Sequence, residues 1–398
     1  MRSRATARLF LIFISFLGTA AATSRAEAYP WMIRHGHDGC VSCHVDPSGS
    51  GLLTRYGREE GDEELTMHHG QGGEERKAGL LWGHVDTPDW LLLGAGFRAA
   101  VLGTQVTGAP AGSGAPGPSW KADLVLMQAD LRAGIRQGPL RASASLGVVN
   151  DSSYAAVAGN LVSREHWVGY APDGDTFLVR AGRMNLPFGI RSIEHTLWVR
   201  QETRTDINDL QEHGVAFAYS SNRLRAELMG ILGNYQISPD ARRQRGYSAS
   251  VELVPRPGLA VGASSLVTHV AQDVRLDVAN WRQAHGLFAR ASPAEALVIL
   301  AEADVVHDSP TGASATTGFV SMLQGDVEPV GGLHVILTGE TLTPGTPATK
   351  SSYGGWAALD WFCLRQFDVR LDFMWRKMAF GTDELDEKAF LVQAHLYL

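Results

Sequence analysis

Three residues near the N-terminus, Cys40, Cys43 and His44, form the spacing C-x-x-C-H within the stretch GCVSCHVDPSG. Two thiols at this spacing can each add to a vinyl group of a porphyrin while the next imidazole reaches the iron, so the motif reads as the attachment site of one covalent haem c. Cys40 and Cys43 then form the thioethers, and His44 is the proximal iron ligand. Zinc is the rival reading of the same donors, with His35 or His37 completing the set. The distal ligand sets the potential, Met raising it relative to His. Candidates are Met32, His35, His37, Met67, His68 and His69, with His195 and His213 as more distant alternatives. The plain alternative for each is a solvated His or a packing Met. The remaining cysteine, Cys363, lies in the apolar run AALDWFC and is expected to be a buried, inert thiol.

The first residues fix the expected compartment. Arg2, Arg4 and Arg8 precede the apolar run Leu9–Ala22, and Ala26–Ala28 (AEA) offers a small-residue cleavage site. That pattern predicts a signal peptide over 1–28. Losing Arg2, Arg4, Arg8, Arg25 and Glu27 takes the net charge from −7 to −10. An acidic mature chain argues against nucleic acid as a partner and favours cations near its surface.

From about Gly79 onward the apolar residues recur with a period of two. In Arg365–Arg376 one face reads Phe367, Val369, Leu371, Phe373 and Trp375, and the other Gln366, Asp368, Arg370, Asp372, Met374 and Arg376. Leu140–Val148, Tyr247–Leu253 and Phe390–Leu398 alternate in the same way, which is a strand pattern and not a helical one. Tight turns rich in Gly, Pro, Asn and Asp alternate strictly with longer connections. An outer-membrane barrel has short periplasmic turns and long extracellular loops, whereas a β-sandwich has no reason to alternate them. The fold expected is all-β: a transmembrane antiparallel β-barrel of about 16 strands over 79–398. Trp90, Trp120, Trp167 and Trp361 fall near strand ends, where an aromatic girdle sits.

Residues 29–78 show no core-forming period and are too few to enclose a haem alone. A barrel this wide leaves an aqueous lumen unless it is plugged, so the segment is expected to be a haem-binding plug at or inside the periplasmic mouth. One connection, within Gly182–His213, is long and charged, carrying Arg191, Glu194, His195, Arg200, Glu202, Arg204, Asp206 and Asp209. Such a loop either folds inward to constrict the pore or lies solvated at the surface.

The stretch PWMIRHGHDGCVSCH (Pro30–His44) resembles the N-terminus of the fused monohaem cytochrome–porins of iron-oxidising bacteria, in the placing of Pro30 and Arg34 before the motif and of Tyr56-Gly57-Arg58 after it. The resemblance implies an outer-membrane cytochrome–porin that passes electrons between an extracellular redox donor or acceptor, ferrous iron in that family, and a periplasmic electron carrier. Electron transfer needs no bond-making chemistry, so no catalytic acid–base pair is sought. Two other readings stand beside it: a diffusion porin or binding barrel whose haem is structural or sensory, and a soluble periplasmic β-protein with a haem tail.

Overall fold

The structure, a computed structural model, describes residues 29–37, 39–49, 51–67, 80–108, 119–148, 161–194, 196–208, 210–345, 350–380 and 383–398. The expected signal peptide and His68, His69, His195 and Asp209 lie outside the described residues.

Alternation decides the architecture. In the strand Phe367–Phe380, Asp368, Arg370, Asp372, Met374 and Arg376 are buried, while Leu371, Phe373 and Trp375 are exposed. Burial is thus inverted relative to a water-soluble protein: polar side chains point inward and apolar ones outward, as lipid outside a barrel demands. Sixteen antiparallel strands result. They are β1 Leu91–Thr107, β2 Lys121–Gln137, β3 Leu140–Val148, β4, β5 Phe177–Met184, β6 Glu212–Ser220, β7 Leu224–Gly233 and β8 Arg245–Arg256. The second half comprises β9 Leu259–Val270, β10 Asn280–Ala294, β11 Leu297–Pro310, β12 Thr316–Val330, β13 Leu333–Thr343, β14 Ser352–Leu364, β15 Phe367–Phe380 and β16 Asp383–Tyr397. β4 is in two pieces, Leu161–Val162 and His166–Tyr170, both paired with β3. Each strand pairs with its neighbours in sequence, and β1 pairs with both β2 and β16, from Gly96↔Tyr397 to Thr107↔Asp386, which closes the barrel. Closure leaves no unpaired edge.

Among the described residues no helix is long and apolar enough to cross a membrane; the strands carry the lipid-facing surface. Trp90, Trp120 and Trp361 are exposed near strand ends, as a girdle requires. Trp167 is not: it is buried, faces the lumen, and stacks under the guanidinium of Arg180 at 5.4 Å. Cys363 is half-buried rather than buried. Several strands outrun their apolar stretch at the long-loop end. Between β15 and β16 the ladder runs on past the apolar stretch, from Lys377↔Asp386 to Phe380↔Asp383. Beyond the lipid-facing zone polar residues still pair their backbones, and hydropathy does not report that.

Residues 29–67 fill the short-turn end of the lumen. A 3-10 turn, Pro30–His35, starts with Pro and is closed by Gly36 at φ 81°, a left-handed position that suits Gly. The helix α1, Arg55–Glu64, is capped by Thr54, whose hydroxyl accepts from the Gly57 amide at 3.0 Å. Trp31, Met32, Ile33, Val45, Leu52 and Leu65 are buried against wall residues such as Leu92 and Phe362, worth roughly 1.5–3 kcal/mol for each large side chain. Charge anchors the rest. Arg34 pairs with Glu328 at 2.6 Å, Asp46 pairs with Arg180, Arg132 donates to the Gly51 carbonyl at 3.2 Å, and Arg58 donates to the Leu93 carbonyl.

The connection 185–211 folds inward. Its short helix, Trp198–Thr203, is largely buried. Arg200 pairs with Glu302, Arg204 with Asp273 and Glu194 with Arg370, and the Asn208 carbonyl accepts from Arg164. Plug and loop together occupy the lumen that the strand count alone would leave open.

Candidate functional site

The C-x-x-C-H segment and the start of α1 are built as one unit. The amides of Cys43 and His44 donate to the Cys40 carbonyl at 3.3 and 2.9 Å, forming a single helical turn. The Thr54 hydroxyl donates to the Ser42 carbonyl at 2.7 Å, and its amide donates to the Cys43 carbonyl at 2.7 Å. Gly57 then packs against that same carbonyl so closely that a Cβ would run into it. The aromatic-Gly-Arg sequence therefore needs its glycine at this position. Its Arg58 reaches the wall at Leu93.

Between the plug and the inward loop lies a cavity with about 1350 Å³ of atom-free space, part of it open to solvent. His44 and Met32 both line it. So do Gly49, Gly51, Gly57 and Gly61 of the plug, Asn185, Arg191, Ile193, Ile207, Asn208 and Gln211 of the loop, and Arg58, Arg98, Arg132 and Arg164. His395 of β16, which sequence reasoning missed, lines it as well, with Nδ1 3.0 Å from Asp368 Oδ1. A carboxylate behind an imidazole fixes its tautomer and orientation, the arrangement found behind metal-bound histidines.

The other sequence candidates go elsewhere. His35 rests against Arg34 and Glu328 on the wall. His37 Nε2 lies 3.1 Å from Glu64 Oε2; burial, with His35 nearby, lowers its pKa to about 2, so the imidazole is neutral. Met67 Sδ accepts from Trp361 Nε1 at 3.4 Å. His213 faces outward and meets His166 at 3.1 Å between their Nε2 atoms. Cys40 opens onto a neighbouring cavity with Pro47, Ser48, Arg225 and Arg290, and Cys43 is fully buried. Neither is in a disulfide.

The donor types suit a haem, and of the three motif residues His44 lines this cavity while Cys40 and Cys43 do not. The donor set is two free thiols and an imidazole on one turn. Arginines along the cavity lining match the carboxylates of a porphyrin.

One charge relay ties the parts together and was not legible as a motif. Asp46 of the plug pairs with Arg180 of β5; Arg180 pairs with Glu227 of β7; Glu227 pairs with Arg191 of the inward loop at 3.0 Å. Asp46 and Arg180 are both wholly buried. Burial works to raise the pKa of Asp46, but Arg180 and two hydrogen bonds from Ser48 outweigh it and hold the carboxyl below its usual range. The only sequence signal was that Arg180 and Glu227 sit on lumen-facing strand positions.

No family model matches the chain, and no curated protein matches it. Solved structures of outer-membrane barrels do resemble it. A loop-deletion form of OmpT, an outer membrane protein of Vibrio cholerae, has a TM-score of 0.58 at 9% identity, covering 77% of this chain and 99% of that one. An anion-selective porin from Comamonas acidovorans has a TM-score of 0.57 at 12% identity, over 77% and 99% of the two chains. The outer membrane channel DcaP of Acinetobacter baumannii has 0.53 at 10% identity, over 79% and 99%. At these identities the likeness is one of fold: the chain is a porin-like barrel of outer-membrane type.

Proposed function

We propose that this chain is exported to the outer membrane and works there as an electron-transfer cytochrome–barrel, with one covalent haem c seated between plug and inward loop. The observation that carries the reading is that His44, from the C-x-x-C-H turn, and Met32, from the 3-10 turn, line one cavity inside a porin-like barrel. Cys40 and Cys43 would hold the group by thioethers and His44 by its imidazole. Met32 and His395 are the Met and His side chains that line the cavity beside His44 among the described residues. When bound, the haem supplies a one-electron couple.

The chain's own residues do the rest. The arginines on the lining balance the carboxylates of the porphyrin and hold it against the plug. The buried network Asp46–Arg180–Glu227–Arg191 keeps plug and loop in register and restricts water. The plug presents the C-x-x-C-H turn at the short-turn mouth, where a periplasmic carrier would dock. The inward loop forms the opposite side of the cavity, toward an extracellular donor. Ferrous iron as that donor rests on the sequence resemblance alone.

A diffusion porin is the second reading, favoured by the fold neighbours, which are porins and channels. Two measurements separate them. Denatured protein should keep haem absorbance, and Cys40→Ala with Cys43→Ala should lose it while the barrel still shows heat-modifiable migration. Single-channel conductance should be far below that of an open porin of this size. Absence of covalent haem together with a large steady conductance gives the porin reading the field.

A further inference from the structure

A second set of metal-ligating side chains lies along a flank of α1, beside the face that lines the haem cavity. The helix turns Gly57, Arg58, Gly61 and Leu65 toward that cavity. The adjoining flank carries Glu60 and Glu64, one turn apart, and both are half-buried. The segment just before Cys40 turns at Gly36 and brings the buried imidazole of His37 over this pair. One donor atom from each of His37, Glu60 and Glu64 lies within 4.8 Å of the other two. The ring of Tyr56, one turn earlier on α1, meets the His37 ring edge-on at 6.4 Å between centroids.

We propose that His37, Glu60 and Glu64 form a binding site for a borderline divalent metal ion of the zinc or ferrous class, which pins the segment ahead of Cys40 to α1. The 3.1 Å between His37 Nε2 and Glu64 Oε2 is the separation that two ligands of one ion adopt. With metal–nitrogen and metal–oxygen bonds of about 2.0–2.2 Å, a right angle sets them about 2.9 Å apart and a tetrahedral angle about 3.4 Å apart. One imidazole with two carboxylates selects a borderline ion over calcium or magnesium, which take oxygen alone, and over cuprous ion, which takes sulfur. Three protein ligands leave room for water on the ion. Residues i and i+4 of a helix share a face, so Glu60 and Glu64 are pre-positioned, and His37 is held by burial.

The site shares no ligand with the haem motif, so it stands or falls separately from the electron-transfer reading. The test is zinc uptake by the full chain folded in detergent micelles, by equilibrium dialysis at micromolar free zinc, with heat-modifiable migration confirming assembly. Wild type should take up one ion that His37→Ala does not. Glu60→Gln and Glu64→Gln should each weaken uptake by at least the roughly 10–100-fold lost when even an outer-shell partner is removed. Cys40→Ser with Cys43→Ser should keep the ion, which excludes capture by the thiols. Added zinc should slow hydrogen exchange across residues 39–44 in wild type and not in Glu60→Gln, the variant that carries the test if His37→Ala does not assemble. No zinc bound by wild type, or equal uptake and protection in the Glu60→Gln and Glu64→Gln variants, overturns the proposal.

Discussion

Asp46→Asn tests whether the plug is held by buried charge. The substitution keeps the shape of the side chain and the oxygen that accepts from the Ser48 amide at 2.7 Å. It removes the negative charge facing Arg180, in a pair where both side chains are wholly buried. Removing one partner of such a pair costs about 3–5 kcal/mol. Arg180 keeps Glu227 as a partner, which places the cost at the lower end, about 3 kcal/mol. That corresponds to a rise of roughly 100-fold in the population with the plug unseated. Hydrogen exchange in micelles reads this directly. The amides of Val45, Gly49 and Thr54, bonded to Leu52, Asp46 and Cys43 carbonyls, should exchange about 100-fold faster, while barrel amides hold their protection. The pH dependence has a definite sign. The pKa of Asp46 is lowered in the folded state, so its contribution is present above the unfolded value of about 3.9 and fades as the pH falls below it. Wild-type plug exchange should therefore accelerate in acid below that value, and Asp46→Asn should flatten the response. Unchanged plug protection in Asp46→Asn at neutral pH would mean that the buried Asp46–Arg180 pair does not hold the plug.

Other outcomes follow from the same structure. Gly57→Ala places a methyl group into the Cys43 carbonyl, and should lower covalent haem content, read by haem staining of denatured protein, without changing barrel migration. Met32→His should lower the midpoint potential in a redox titration if Met32 is the distal ligand; if His395→Ala shifts the potential and Met32→His does not, the ligand is His395. Phe373→Arg puts a charge on the outward, 45% exposed position of β15, and should cost about 2–4 kcal/mol of folding stability in bilayers if it lies near the midplane, whereas Phe373→Leu should be close to neutral. Deleting residues 29–67 should raise single-channel conductance above wild type, with the inward loop still limiting it.

The barrel was legible because lipid outside and a polar lumen inside force a period of two, and because loop lengths alternate with the sidedness of the membrane. That is why Phe367–Arg376 could be assigned face by face. Legibility failed where the lumen stopped being water. Asp372 reads as a solvated lumen residue, yet it is buried against Arg370 and Gln393, because plug and loop fill the space it faces. Trp167 reads as a girdle residue from its position near a strand end, but parity turns it inward beneath Arg180. The inward path of the connection 185–211 was one of two readings of its length and charge, and pairing with Glu302 of β11, Arg370 of β15 and Asp273 of the β9–β10 connection decides it. The C-x-x-C-H turn was visible as a motif. Its support from Thr54 and Gly57 is local and was half-visible. The convergence of Met32, His395 and the arginines joins plug and strands far apart in sequence, which periodicity cannot bring together.

The proposed passage of electrons across the outer membrane through a haem in this lumen has a direct readout. The most direct measurement is haem absorbance in intact cells displaying the protein, rapidly mixed with a membrane-impermeant redox partner, ferrous iron among them. Wild type should show a change in haem oxidation state, slower at high ionic strength because the acidic chain no longer concentrates a cationic donor, and His44→Ala should show none. No haem reduction or oxidation with any impermeant partner would contradict that passage of electrons.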